Sequence, residues 1–229
     1  MFPTTRWTLV FASREGGEAR RTAVEALLST YWKPVYFYAR RRGLAVEAAE
    51  DAVQGFFLHL LERDFPDRAD PARGRFRSYL LTAMDHYLIN LHAREAARKR
   101  GGGVRLLPLD TVRAEHELAA APAAPPLAFE REWATGLMER ALARLRDEYE
   151  EGARKGRADT VLKFFRLDGV PTYAQAAAEC GMTVAQLKAA LHRARERFRA
   201  ILREEVAPTV EDDRQADEEL AELLRLLTA

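Results

Sequence analysis

A chain of 229 residues, 48% of them hydrophobic, has the length and apolar content for one large domain or two small ones, which excludes disorder throughout. Apolar runs such as Gly55 to Leu61 stop far short of the roughly 20 residues that a membrane span needs, and a single cysteine, Cys180, excludes an internal disulfide framework. The formal net charge of +1 hides a segregation: from Lys188 to Arg203 six basic residues stand against Glu196 alone, and after Ala207 two arginines face seven carboxylates, which points to a polyanion partner.

Apolar positions recur at three and four along most of the chain, so the whole of it is expected to be helical. The first long helix is predicted over about Arg21 to Arg42, with Val24, Leu27, Leu28, Tyr31, Val35 and Tyr38 on one stripe, a bend at Pro34 and a stop at Gly43. A second, about Val46 to Arg63, buries Ala49, Val53, Phe56, Phe57, Leu60 and Leu61. On the opposite face it carries Glu47, Glu50, Asp51 and Gln54. After the loop DFPDRADPARG a third helix starts near Arg75, buries Phe76, Tyr79, Leu80, Ala83, Tyr87 and Leu91, and ends in Arg98-Lys99-Arg100 before three glycines.

From Val104 to about Leu127 the periodicity fails, and AAAPAAPP reads as a semi-extended linker. Beyond it a helix is predicted from about Phe129 to Tyr149 through Trp133, Leu137, Leu142 and Leu145, then a shorter one around Thr160 to Leu167. PTYAQAAAECGMTVAQLKAALHRARERFRAIL then holds two capping-box patterns, Thr172 with Gln175 and Thr183 with Gln186, around a turn containing Gly181. Two helices joined that tightly form a helix-turn-helix.

In its second helix Val184, Leu187, Leu191, Ala194, Phe198 and Ile201 make the buried stripe, so Ala185, Gln186, Ala189 and Arg193 point away, with Lys188 and His192 on one shoulder. Glutamine can read adenine and arginine guanine in a major groove, while Thr183, Lys188 and Arg195 suit phosphates. The acidic end places Leu220, Leu223, Leu224 and Leu227 on one face of an amphipathic helix. It is expected to pack on the second domain or to cover the basic recognition helix.

Asp51-x-x-Gln54-x-x-Phe57 followed by Leu60-Leu61 resembles the motif of sigma region 2.2. YWKPVYFYARRRG resembles region 2.1, RGRFRSYLLTAMDHYLINLHAREAARKR regions 2.3 and 2.4, and Lys188, His192, Arg193, Ala194 and Arg195 stand where region 4.2 has a similar run. The order of these segments resembles the extracytoplasmic-function (ECF) group of sigma factors. TTRWTLV and RGRFRSYLLTA are most similar to a subgroup found in planctomycetes and related bacteria.

The resemblance implies an all-α protein in two helical domains: a region 2 bundle over residues 1–103, a linker over 104–128, a region 4 helix-turn-helix domain over 129–206, and an acidic extension over 207–229. It implies binding of core RNA polymerase through Glu47, Glu50, Asp51, Gln54 and Phe57. Region 2 of such proteins melts the minus-ten element and holds a flipped base, for which Arg73, Arg75, Arg77, His86, Asn90, Arg94 and Arg98 are the candidate DNA contacts, cations beside rings. In region 4 the candidates at the minus-thirty-five element are Thr183, Gln186, Lys188, Ala189, His192, Arg193 and Arg195.

Two departures, Ala190 where many members have arginine and His86 then Asn90 where Asn then Asp is common, keep promoter preference from being carried over. The implied partners are polymerase and promoter DNA, with an anti-sigma factor or a regulatory kinase as a restraint that the sequence does not name. No cofactor, metal, membrane or catalysis is expected. There is no phosphate-binding glycine loop or serine elbow, and His59, His86, His92, His116 and His192 lack metal spacing. The opening MFPTTRW lacks a signal peptide's apolar core, so a cytoplasmic location is expected. The rival expectation is a dimeric helix-turn-helix regulator that binds an operator without polymerase.

Overall fold

The computed structural model of the chain describes residues 17–62, 76–97, 110–120, 123–151, 157–165, 169–207 and 213–228. Among these residues there are nine α-helices and no strand, as the periodicity predicts. They are α1 Gly17–Arg41, α2 Val46–Glu62, α3 Phe76–Ala97, α4 Thr111–Ala120, α5 Pro125–Glu151, α6 Ala158–Leu162, α7 Tyr173–Glu179, α8 Val184–Val206 and α9 Asp213–Thr228. The chain divides into two compact units, one of Met1–Thr135 with Ala207–Ala229, the other Gly136–Val206.

In the first unit α1 is the central element, because Val35, Tyr36, Phe37, Tyr38 and Ala39 are all buried in sequence, a run that only a helix surrounded by neighbours can hide. The helix continues through Pro34. It stops at Gly43, whose φ of 94° suits a residue without Cβ, and Leu44 N–H closes back on Ala39 O at 3.3 Å. Ring contacts fasten α3 to both earlier helices: Tyr31 to Phe76 with centroids 5.3 Å apart, and Phe56 to Tyr87 at 5.7 Å. Full burial of the Tyr31, Phe56 and Phe76 rings stabilises the fold by about 1.5–3 kcal/mol each. The buried row of α3 is Phe76, Leu80, Met84 and Leu88; Met84 and Leu88 replace the expected Tyr79, Ala83, Tyr87 and Leu91, which are half-buried.

The stretch expected as a linker holds α4 and the first turns of α5. Asp110 caps α4, accepting from Arg113 N–H at 3.3 Å through its side chain. Long-range ion pairs then hold the helix to α1: Glu115 takes Arg40 Nε at 2.6 Å and Glu117 meets Lys33. Pro125 and Pro126 occupy the first turn of α5, where a missing N–H costs nothing, so they start a helix that a proline-rich composition appeared to forbid. The boundary between units accordingly falls inside α5, between Thr135 and Gly136.

The acidic α9 also departs from expectation. It belongs to the first unit, where Ala216, Glu219 and Leu223 are buried and Glu219 pairs with Arg77 of α3. This replaces the expected packing on the second domain or its recognition helix.

The second unit packs Leu137, Ala141, Leu145 and Tyr149 of α5 and Leu187, Leu191, Ala194, Phe198 and Ile201 of α8 into its core. Val184, expected in that stripe, is exposed at the helix start. A 3-10 turn, Lys163–Phe165, places Phe165 edge-on to Phe198 at 5.1 Å. Arg197, one of the six cations of the basic run, turns inward to Glu148 at 2.6 Å and Glu204 at 2.9 Å.

Candidate nucleic-acid interface

On α2, Glu47 and Asp51 stand one turn apart and both are exposed. Glu50 is half-buried and accepts a hydrogen bond from Thr111 Oγ1 at 2.7 Å, so the start of α4 abuts this face. Gln54, expected on the acidic face, is instead 8% exposed, while Phe57 is 2% exposed as its stripe predicts, its ring against Phe56 at 5.4 Å. The i, i+3 spacing from Asp51 carries the motif round the helix from the acidic face into the core.

On α3, His86 and Asn90 are exposed one turn apart, with Ile89 beside them 61% exposed. Arg77 is the opposite case. Expected at the DNA, it is 3% exposed, its guanidinium carbon 4.3 Å from the Trp133 ring centroid and its nitrogens facing Glu130, Glu219 and Glu222. Arg73, Arg75 and Arg98 lie outside the described residues, and Arg94 falls in α3 with its side chain outside the description.

The helix-turn-helix forms as its two capping boxes predict. Thr172 accepts from Gln175 N–H at 3.3 Å, and Gln175 Oε1 accepts from Thr172 N–H at 3.1 Å. At the second box Gln186 N–H donates to Thr183 Oγ1 at 3.2 Å and Thr183 N–H to Gln186 Oε1 at 2.9 Å. Between them Gly181, at φ 62°, closes α7 with its N–H on Ala178 O, and Met182 N–H reaches Ala177 O. Thr183 and Gln186 therefore set the start of α8, and the Gln186 carboxamide oxygen is committed to the backbone rather than presented to a base edge.

The rest of the α8 face is open. Lys188, Ala189, His192, Arg193 and Arg195 are all exposed. Lys188 Nζ lies over the Tyr173 ring at 5.4 Å, and Tyr173 stacks on Phe164 at 5.4 Å, so a cation and two rings share one edge of the motif. His192 Nε2 is 3.4 Å from Glu196. Among the described residues no cluster of histidine, cysteine or acidic side chains could hold a metal, and no helix is long and apolar enough to cross a membrane.

Sequence reasoning missed the charged groups that fix the first unit from within. Lys33 bridges Glu117 and Glu132, the latter at 2.8 Å; burial opposes its charge, but the two carboxylates hold its pKa above the usual lysine value. The Arg40 hydrogen bond holds the Glu115 carboxyl below its ordinary range, and Tyr36 donates to Glu115 at 2.7 Å. Burial and the hydrogen bond to Asp85, 2.6 Å long, push the Tyr38 phenol up to about 12. These partners lie dozens of residues apart, so no local spacing announces them.

Residues 27–98, from α1 through α3, match the family model described as Sigma-70 region 2. That stretch of the first unit is similar to sigma-70 region 2. No curated protein and no solved structure gives a match.

Proposed function

We propose that this protein is a sigma factor of the ECF group, which binds core RNA polymerase in the cytoplasm, carries it to promoters and opens the duplex there. The observation that carries the proposal is the region 2 match over residues 27–98 on a chain that also folds a capped helix-turn-helix with an exposed cationic face. Glu47 and Asp51 supply the surface for polymerase, with Glu50 at its edge beside α4. His86 and Asn90 face the melted strand, where a histidine ring can stack on an unpaired base and an asparagine can bond its edge.

On α8, Lys188, Arg193 and Arg195 track phosphates while Ala189 and His192 lie against the major groove. A reading face with so few hydrogen-bonding side chains predicts weak affinity for DNA alone, and polymerase supplies the remaining contacts and all of the chemistry. The planctomycete-like subgroup rests on TTRWTLV and RGRFRSYLLTA, and an anti-sigma factor or kinase remains a proposed restraint of unspecified identity.

The test is transcription in vitro with purified core polymerase, comparing wild type with Glu47→Ala/Asp51→Ala. Loss of an exposed acidic pair from a docking surface is expected to weaken polymerase binding by roughly tenfold, with the far-ultraviolet dichroism unchanged. Unaltered polymerase binding would remove the role given to α2. Tight binding to an operator without polymerase would favour the dimeric regulator instead.

A further inference from the structure

The burial of Arg77 requires an explanation, because an enclosed guanidinium is retained only where acceptors replace its water. Those acceptors come from two places. The Glu130 carboxylate of α5 lies 2.6 Å from Nε as an ion pair, and α9 brings Glu219, itself 1% exposed, to Nη1 and Glu222 to within 3.6 Å of Nη2. Trp133 floors the site, with its ring under the guanidinium. A planar cation that turns two nitrogens toward a pair of acids is also the arrangement that takes a phosphodiester. Helix α9, with five carboxylates against two arginines, fills it with acids one turn apart.

We propose that α9 is a built-in acidic competitor for nucleic acid at Arg77. Docked, Glu219 and Glu222 occupy the guanidinium; released, they yield it to backbone phosphates of the melted strand, with Trp133 beneath holding the guanidinium plane in place. The proposal rests on the sigma-factor reading above. The exchange is feasible because one pair of anionic acceptors replaces another, so the buried cation is never left alone, which is the circumstance that makes breaking such a pair costly. By burial the helix is held through Ala216 and Leu223, fully enclosed, and through the half-buried Leu220, Leu226 and Leu227, whereas Leu224 is 55% exposed.

The experiment uses the full chain, wild type and Glu219→Gln/Glu222→Gln, with a poly-dT oligonucleotide as the probe. Binding is read by fluorescence anisotropy at fixed salt, and release of α9 by amide hydrogen exchange over residues 213–228. The double variant is expected to bind roughly three- to tenfold tighter, the gain expected when about one phosphate contact becomes available. In the wild type, saturating oligonucleotide is expected to speed exchange of the α9 amides, a readout that does not depend on any variant folding.

If α9 stays protected in the DNA complex and the double variant binds no tighter, α9 is a structural brace and the proposal is overturned. Core-polymerase binding by the same samples reports separately on the function. Protected α9 in a chain that binds polymerase sinks the competitor alone, whereas released α9 in a chain that ignores polymerase upholds the competitor and sinks the sigma-factor reading.

Discussion

Gly55 sits in the middle of α2, where glycine costs about 0.5–1 kcal/mol relative to alanine. A Cβ at this position would overlap the Tyr87 hydroxyl of α3, so the missing side chain is what lets the two helices meet. Gly55→Ala is expected to lower stability by about 1–3 kcal/mol in chemical denaturation, in spite of alanine's better helix propensity. Combining it with Tyr87→Phe, which removes the overlapping oxygen, should recover most of that loss.

At this scale the sequence was legible for residue type and face but not for depth. Asp51, Gln54 and Phe57 form a recognisable motif whose stripe puts Asp51 outside and Phe57 inside, yet only the packing of the first unit decides that Gln54 is buried too. Arg77 reads as one cation in a basic cluster, because the carboxylates that enclose it arrive from α5 and α9, far along the chain.

Among the elements, the most legible were those whose stop and start signals are local. Gly43, the Thr172 and Thr183 boxes and Gly181 each act within five residues, and each ends or begins a helix where the spacing places it. Thr183→Ala is expected to cost about 1 kcal/mol by removing the acceptor for Gln186 N–H, read as a fall in the thermal midpoint of the second unit. Thr183→Ser, which keeps the hydroxyl, should restore it.

Helix α4 was illegible for the complementary reason. Its ten residues are too few for an independent helix in water, and it persists because Ala114 and Leu118 are buried in the first unit while Glu115 and Glu117 reach Arg40 and Lys33 on α1. The start of α5 was hidden differently, since the prolines that break a helix interior are harmless in its first turn.

Across the whole molecule, charge fixes the range of pH in which both units persist. Arg40 foremost for Glu115, and Arg197 foremost for Glu204, hold these carboxyls below the ordinary glutamate value of 4.5. A depressed folded pKa stabilises the fold above that value, and the contribution disappears as pH falls through the lowered one. Tyr38 works in the other sense. Raised from 10.0 to about 12, its phenol stabilises the fold fully below pH 10, and that contribution is lost as pH climbs toward 12. Thermal unfolding followed against pH is therefore expected to show falling stability in both units below about pH 4.5, and in the first unit also above pH 10. A flat acid limb would show that the Glu115 and Glu204 pairs contribute nothing net.

The return of α9 to the first unit also sets an order on biosynthesis. Residues 136–206 are translated between the two parts of that unit, so Arg77 leaves the ribosome well before Glu219 exists. At about 5–20 residues per second the intervening stretch takes seconds to make, long enough for the second unit to fold first. Through that interval nascent chains lack the carboxylates that α9 brings to Arg77, and the first unit is complete only once α9 has been made.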